Sequence, residues 1–178
     1  ALLEFALVKL ALDIVVKEGF KPIIPPVMVK EEIAGGTGFL EGTDRQECYY
    51  LPEDKLYLIG TSEQSLTGMH ENEVLNEKDL PLRYVGFSTC FRREAGSYGR
   101  DTKGILRVHQ FDKLEMVVFS TPENSKEEHE LLLSFEEKLM KALNLPYQVI
   151  NICTGDLGRP AAKKYDIETW LPSENKYR

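Results

Sequence analysis

The side chains best suited to chemistry fall between positions 83 and 113, where seven basic and three acidic residues give +4 in a chain of formal charge -7. Arginine forks grip phosphate through two nitrogens at once. An aromatic ring can carry a stacked base, and a carboxylate can hold an ammonium. Alternation sorts residues 83–94 into two faces, one with Val85, Phe87, Thr89 and Phe91, the other with Gly86, Ser88, Cys90, Arg92 and Glu94. The first face looks core-like. Residues 105–119 sort in the same way, with Leu106, Val108, Leu114, Met116 and Val118 opposite Arg107, His109, Phe111, Lys113 and Glu115. Helical spacing would also align Arg107, Phe111 and Glu115, but the period of two and the β-branched and aromatic content favour a strand. Paired as a hairpin, these strands gather Arg92, Glu94, Arg107, Phe111 and Glu115 on one face. The connecting loop, 95–104, adds Arg100, Lys103 and three glycines. A nucleoside triphosphate together with an amino acid would use every one of these groups. A solvated face of mutual ion pairs, which adds little stability, uses the same residue types, so charge and parity alone leave both open.

The elements that must position this face read as a mixed set. Leu3, Leu7, Leu10 and Ile14 predict a helix that ends before Gly19. "FKPIIPPVMV", 20–29, is extended, and its three prolines keep it from being a central strand throughout. The glycine-rich stretch 35–42 lacks the GxGxxG and GxxxxGK[ST] spacings. A short strand covers 56–59. Thr61 and Gln64 form a capping-box pattern opening a helix from Ser62 to about Leu75. Ser125 and Glu128 form a second, opening a helix whose face is Leu131, Leu132, Phe135 and Leu139 and which Asn144 and Pro146 end. Strands are expected over 147–153 and 165–171, with "TGDLG" as the turn. Consecutive strands joined by single turns predict an α+β fold, an antiparallel sheet flanked by helices.

Bulk properties narrow the class. The 178 residues, 42% of them hydrophobic, suffice for one sizeable core. No apolar run approaches the roughly 18 residues of a membrane span. Residues 1–16 carry Glu4, Lys9 and Asp13, unlike a secretory signal. Cys48, Cys90 and Cys153 lack metal-ligand spacing and read as reduced, mostly buried thiols of a cytoplasmic protein; His70 and His129 read as solvent-facing, and His109 as pinned by hydrogen bonds. The sequence opens inside a helical pattern and stops without a tail signal, so a piece of a longer protein is expected.

"FRREAGSYGRDTKGILRVHQFDKLEM" resembles the second signature motif of class II aminoacyl-tRNA synthetases, in the form typical of the seryl-tRNA synthetase family. "GFKPIIPPVMV" is similar to the first motif, a dimer-interface segment ending in proline, here Pro26. "GTGFL" resembles the loop upstream of the substrate site, "GTSEQSL" the Thr-Ala-Glu segment with Ser62 for Ala, and "CTGDLGRPAAKKYDIETWLPSENKYR" the run toward the third motif. The likeness extends over nearly the whole chain.

The resemblance implies a partial catalytic domain over 1–178 that contains motifs 1 and 2. It implies ATP contacts from Arg92, Arg93, Glu94, Arg107, Val108 and Phe111, with Arg92 on the α-phosphate, Phe111 against adenine and Arg107 on the distal phosphates. Arg92 and Arg107 are thus the catalytic pair. Thr61, Ser62, Glu63 and Glu115 would form the serine pocket, because a buried ammonium needs carboxylate partners. Arg100 and Lys103 would meet the tRNA acceptor end. The cofactors implied are ATP and Mg²⁺. The partners implied are L-serine, tRNA(Ser) and a second copy through residues 19–29, with no membrane.

The implied reaction is ATP-dependent formation of seryl-adenylate and transfer to the 3′ end of tRNA(Ser). The third motif, the metal ligand expected beyond Arg178 and the N-terminal tRNA-binding coiled coil are expected outside this stretch, so weak or no activity is expected of it alone. A related amino acid:carrier-protein ligase and a non-catalytic tRNA-binding paralogue are the alternatives. The presence of Arg92, Glu94, Arg107, Phe111 and Glu115 argues against the second.

Overall fold

A computed structural model of the chain describes residues 1–42, 44–95, 104–158 and 160–178. In chain order the elements are α1 (Leu2–Val16), β1 (Lys21–Ile23), β2 (Met28–Lys30), α2 (Glu31–Gly36), α3 (Asp44–Glu47), β3 (Tyr49–Leu51), β4 (Leu56–Leu58), α4 (Glu63–Gly68), β5 (Leu82–Phe91), β6 (Gln110–Phe119), α5 (Ser125–Ala142), β7 (Tyr147–Asn151), β8 (Tyr165–Leu171) and β9 (Lys176–Tyr177). Two compact units result, Gly19–Phe119 and Ala1–Glu18 with Ser120–Arg178. The α+β class holds, with antiparallel pairing dominant.

The Gly19–Phe119 unit carries two three-stranded sheets, ordered β1-β5-β6 and β2-β4-β3. The first is mixed rather than purely antiparallel: β1 runs parallel to β5, with Pro22 opposite Val85. As an edge strand, β1 needs no ladder N–H on its outer side, so it accommodates Pro22. β5 and β6 pair over ten positions from Leu82↔Phe119 to Phe91↔Gln110. The expected alternation within these strands is present, but the apolar face is not the more buried one. Tyr84, Gly86, Ser88 and Cys90 are all buried on one face; on the other Val85 is buried as expected, while Phe87, Thr89 and Phe91 are half-buried. The reason is α4, which lies on the small-residue face.

Two boundaries differ from expectation. β6 starts at Gln110, not at 105, because Ile105 and Leu106 are 89% and 58% exposed and bury no apolar face to reward a ladder. α4 stops at Gly68 instead of near 75. Beyond it Val74 is fully exposed, and His70 turns inward rather than to solvent. Its ring meets Phe119 edge-on at 4.9 Å, and Nε2 lies 3.0 Å from the Tyr84 hydroxyl. A second cluster packs Val29, Ala34, Tyr57 and Ile59 with Val27, Ile33, Leu40 and Cys48.

In the other unit, α1 and α5 are neighbours and β7-β8-β9 form an antiparallel sheet. α1 buries Ala11 and Val15, whereas Leu3 and Leu7 of the expected stripe are 74% and 39% exposed. Gly19 follows the helix at φ 91°, a conformation open to glycine at little cost. α5 buries Phe135 as expected, but the Ser125–Glu128 box does not form: no side chain caps the helix, and the Ser125 hydroxyl donates to Pro122 O at 2.8 Å. Of the three cysteines Cys90 is buried, Cys48 half-buried and Cys153 exposed, and all are free. Among the described residues no helix is long and apolar enough to cross a membrane.

Candidate active site

The site begins at a glycine. A Cβ on Gly86 would lie 2.8 Å from Leu66 Cδ1 and 3.1 Å from Ser62 Oγ, so only a bare backbone lets α4 come this close to β5. That approach brings the segment before α4 over the register pairs Gly86↔Glu115, Ser88↔Lys113 and Cys90↔Phe111. Thr61 Oγ1 donates to Glu115 Oε2 at 2.6 Å and accepts from Lys113 Nζ at 3.0 Å and from the Glu63 N–H at 3.3 Å. Lys113 and Glu115 form an ion pair. Burial pushes the Glu63 carboxyl above its usual value, the negative Glu115 adds to the push, and Lys113 opposes it. The predicted capping box does not form, since Ser62 is the N-cap and no side chain caps α4; Gln64 Oε1 instead accepts from the Gly60 N–H at 3.3 Å and Thr61 Oγ1 from the Glu63 N–H. Ser62 lies beneath this cluster rather than on its surface. It is fully buried, and its hydroxyl has no partner among the described residues.

The same short segment holds the second half of the site. Arg92 Nε donates to Gly60 O at 3.1 Å, and its guanidinium carbon sits 5.1 Å from the Phe111 ring centroid. Arg92 N–H donates to His109 O at 3.0 Å, extending the β5–β6 ladder by one step. His109 is pinned as expected, with Nδ1 3.2 Å from Arg92 O and 3.3 Å from the Tyr49 hydroxyl. Glu94 adopts φ 53°, a strained region for a side chain of this size, and its carboxylate accepts from Arg107 Nη1. Two bonds from Glu47 bracket it: the Arg93 N–H donates to Glu47 O at 2.8 Å, and the Ala95 N–H to Glu47 Oε1 at 2.9 Å. Cys90, buried and opposite Phe111 in the ladder, has its thiol pushed up by burial, which suits packing and not nucleophilic attack.

Residues 49–178 match the family described as tRNA synthetase class II core domain (G, H, P, S and T). The chain belongs to that family. Over all 178 residues this synthetase core is 55% identical to the serine–tRNA ligase of Thermobifida fusca, covering 42% of that protein. Its fold superposes on seryl-tRNA synthetase from Pyrococcus horikoshii complexed with ATP with a TM-score of 0.95 and 52% identity, over 99% of this chain and 39% of that one. For the cytoplasmic serine–tRNA ligase from Naegleria fowleri in complex with AMP the values are 0.90 and 36%, over 98% and 42%. The chain thus spans about two-fifths of the length of these relatives.

Within the synthetase core, the structure brings together Thr61, Glu63 and Glu115 as one group, and Arg92 with Phe111 as another. Glu94 and Arg107 form a third, by their ion pair. Arg93 lies between Arg92 and Glu94 in sequence, but its guanidinium is aimed at the Tyr49 ring, 6.0 Å away. Val108, 37% exposed, precedes β6 and stands outside the ladder. Arg100 and Lys103 lie outside the described residues. Three groups carry more than the sequence suggested. Gly60 joins the two halves, Glu47 secures the exit from β5, and Lys113 sits among the acids. The parity of Lys113 with Glu115 was a usable signal; nothing local marks Glu47. No cluster of three or more His, Cys, Asp or Glu among the described residues could hold a metal ion.

Proposed function

We propose that this chain is part of the catalytic domain of a serine–tRNA ligase, activating L-serine with ATP and passing it to the 3′ end of tRNA(Ser). The observation that carries the reading is the single segment Gly60–Thr61. Its Gly60 carbonyl orients Arg92 over Phe111, and its Thr61 hydroxyl is bonded to Glu115. A nucleotide seat and an ammonium seat therefore adjoin.

In this reading adenine stacks on Phe111, beside Val108, and Glu94 fixes its orientation. Arg92 meets the α-phosphate, where negative charge grows as the serine carboxylate attacks phosphorus and pyrophosphate leaves. Arg107 turns from Glu94 to the distal phosphates, and Arg93 supports the triplet from the Tyr49 side. The serine ammonium binds Glu115 and Glu63, with Thr61 and the packed Ser62 shaping the pocket; sites built to bond a hydroxyl reject amino acids lacking one. A ribose hydroxyl of tRNA then attacks the seryl carbonyl and AMP departs, with Arg100 and Lys103 near the acceptor end. Positioning and electrostatics suffice without a protein nucleophile. Mg²⁺ would travel with the nucleotide; the described residues offer it no cluster of three or more His, Cys, Asp or Glu. A homodimer through residues 19–29 is supported by Ile24 and Met28, which are 88% and 46% exposed. A cytoplasmic location completes the reading.

The test is serine-dependent ATP–pyrophosphate exchange by the full-length protein. Exchange is expected, and Arg92→Ala should lower it about a thousandfold, roughly 4 kcal/mol of transition-state stabilisation. No exchange in the wild type, or near-normal exchange in the variant, refutes the reading.

A further inference from the structure

A free amino acid is a zwitterion, and the acceptors assigned to it above, Thr61, Glu63 and Glu115, serve only its ammonium end. Its carboxylate supplies the attacking oxygen and needs a cation of its own. Arg92, bonded through Nε to Gly60 O and set over Phe111, has its terminal nitrogens engaged by the α-phosphate in that reading. The cation beside the acids is Lys113. It projects from β6 on the same face as Glu115, two residues away, and opposite Ser88. Its Nζ donates to Thr61 Oγ1 at 3.0 Å and pairs with Glu115, and its side chain is 33% exposed. In the structure, then, a lysine ammonium occupies the two groups that an incoming ammonium would use.

We infer that Lys113 is a substrate-binding residue: the amino acid inserts into the Lys113–Glu115 ion pair, its ammonium taking Glu115 and Thr61 while Lys113 swings onto its carboxylate. The inference rests on the proposed function and extends it. Lysine suits the exchange, because a point charge on a flexible four-carbon stem can move between partners without a fixed fork geometry. The chemistry also explains selection for an α-amino acid. A zwitterion replaces one ion pair with two and leaves the net charge of the site unchanged. A simple amine takes Glu115 and strands Lys113 without a partner, and leaving a charge unpaired in a partly buried site is costly.

The experiment compares L-serine with L-serinamide, which keeps the ammonium and hydroxyl but has no carboxylate, as ligands of the full-length protein by calorimetry. The wild type should bind serine at least tenfold more tightly than serinamide. In Lys113→Met that ratio should fall to near one, chiefly through weaker serine binding. Lys113→Gln, which keeps a donor for Thr61, reads the same ratio should the methionine variant fail to fold. Lys113→Arg should restore part of it. A variant that discriminates as well as the wild type overturns the inference, as does one that loses both ligands equally with an unchanged melting temperature. Failure of the wild type to bind serine at all would instead overturn the proposed function.

Discussion

Two stretches of β5 are held in place by different means. The middle, from Tyr84 to Cys90, is packed: Tyr84, Gly86, Ser88 and Cys90 are buried under α4 with contacts close enough to exclude any side chain at Gly86. The exit, from Arg92 to Ala95, is only partly covered and is tethered by hydrogen bonds that it donates to Gly60, His109 and Glu47. Packing fixes a position through volume and tolerates no added atoms. A tether fixes it through an acceptor and tolerates new volume but not the loss of that acceptor. The proposed ammonium seat sits over the packed stretch and the proposed nucleotide seat over the tethered one, so the two half-sites should fail in different ways.

Gly86→Ala should have the largest effect on stability. Its Cβ would meet Leu66 and Ser62, and overpacking of this kind costs about 1–3 kcal/mol. Denaturant unfolding measures it, and a loss below about 0.5 kcal/mol would break the contrast, since such a change is typical of an unconstrained surface site. Glu47→Ala should cost less stability, about 1 kcal/mol for one lost bond to a backbone N–H. Its signature is kinetic: the KM for ATP should rise about fivefold, the equivalent of that energy, with kcat little changed. Glu47→Gln, which keeps a carbonyl acceptor for Ala95, should recover most of the difference. Equal loss in both variants would show that the carboxylate charge, not the tether, matters. Ser62→Ala should be the smallest change. It removes a buried hydroxyl that has no partner, so the protein should be unchanged or up to about 1 kcal/mol more stable. A loss of that size would mean that the hydroxyl is bonded after all.

The strands were readable where two periodicities agreed. Residues 85–91 and 110–119 both alternate, and both are paired. In residues 105–108 only Leu106 and Val108 follow that parity, and these exposed residues stay outside the ladder. Val85 looks like core and is core, but Phe87 and Phe91 look equally so and are only half-buried. Residue hydrophobicity does not encode how near a helix can come, and the nearest approach favours glycine, serine and cysteine. Parity placed Arg92, Glu94, Arg107, Phe111 and Glu115 on one face; the structure sets Arg92 against Phe111 and Glu115 with Thr61 and Lys113, and leaves Arg107 outside β6, paired with Glu94. Lys113 shared that parity, but its bond to Thr61 joins residues far apart in sequence. The same holds for Glu47, whose grip on Arg93 and Ala95 has no local spacing rule. His70 looked solvent-facing among acidic neighbours because its ring packing on Phe119 is likewise long-range.

The Nε bond from Arg92 to Gly60 also bears on conformational entropy. Ordering a long, flexible side chain costs about 1.5–2 kcal/mol. For Arg92 the Gly60 carbonyl and the Phe111 ring restrict it within the folded chain, before any ligand is bound. A ligand arriving there meets two terminal nitrogens already aimed, and less of its binding energy is lost to immobilising the fork that grips it.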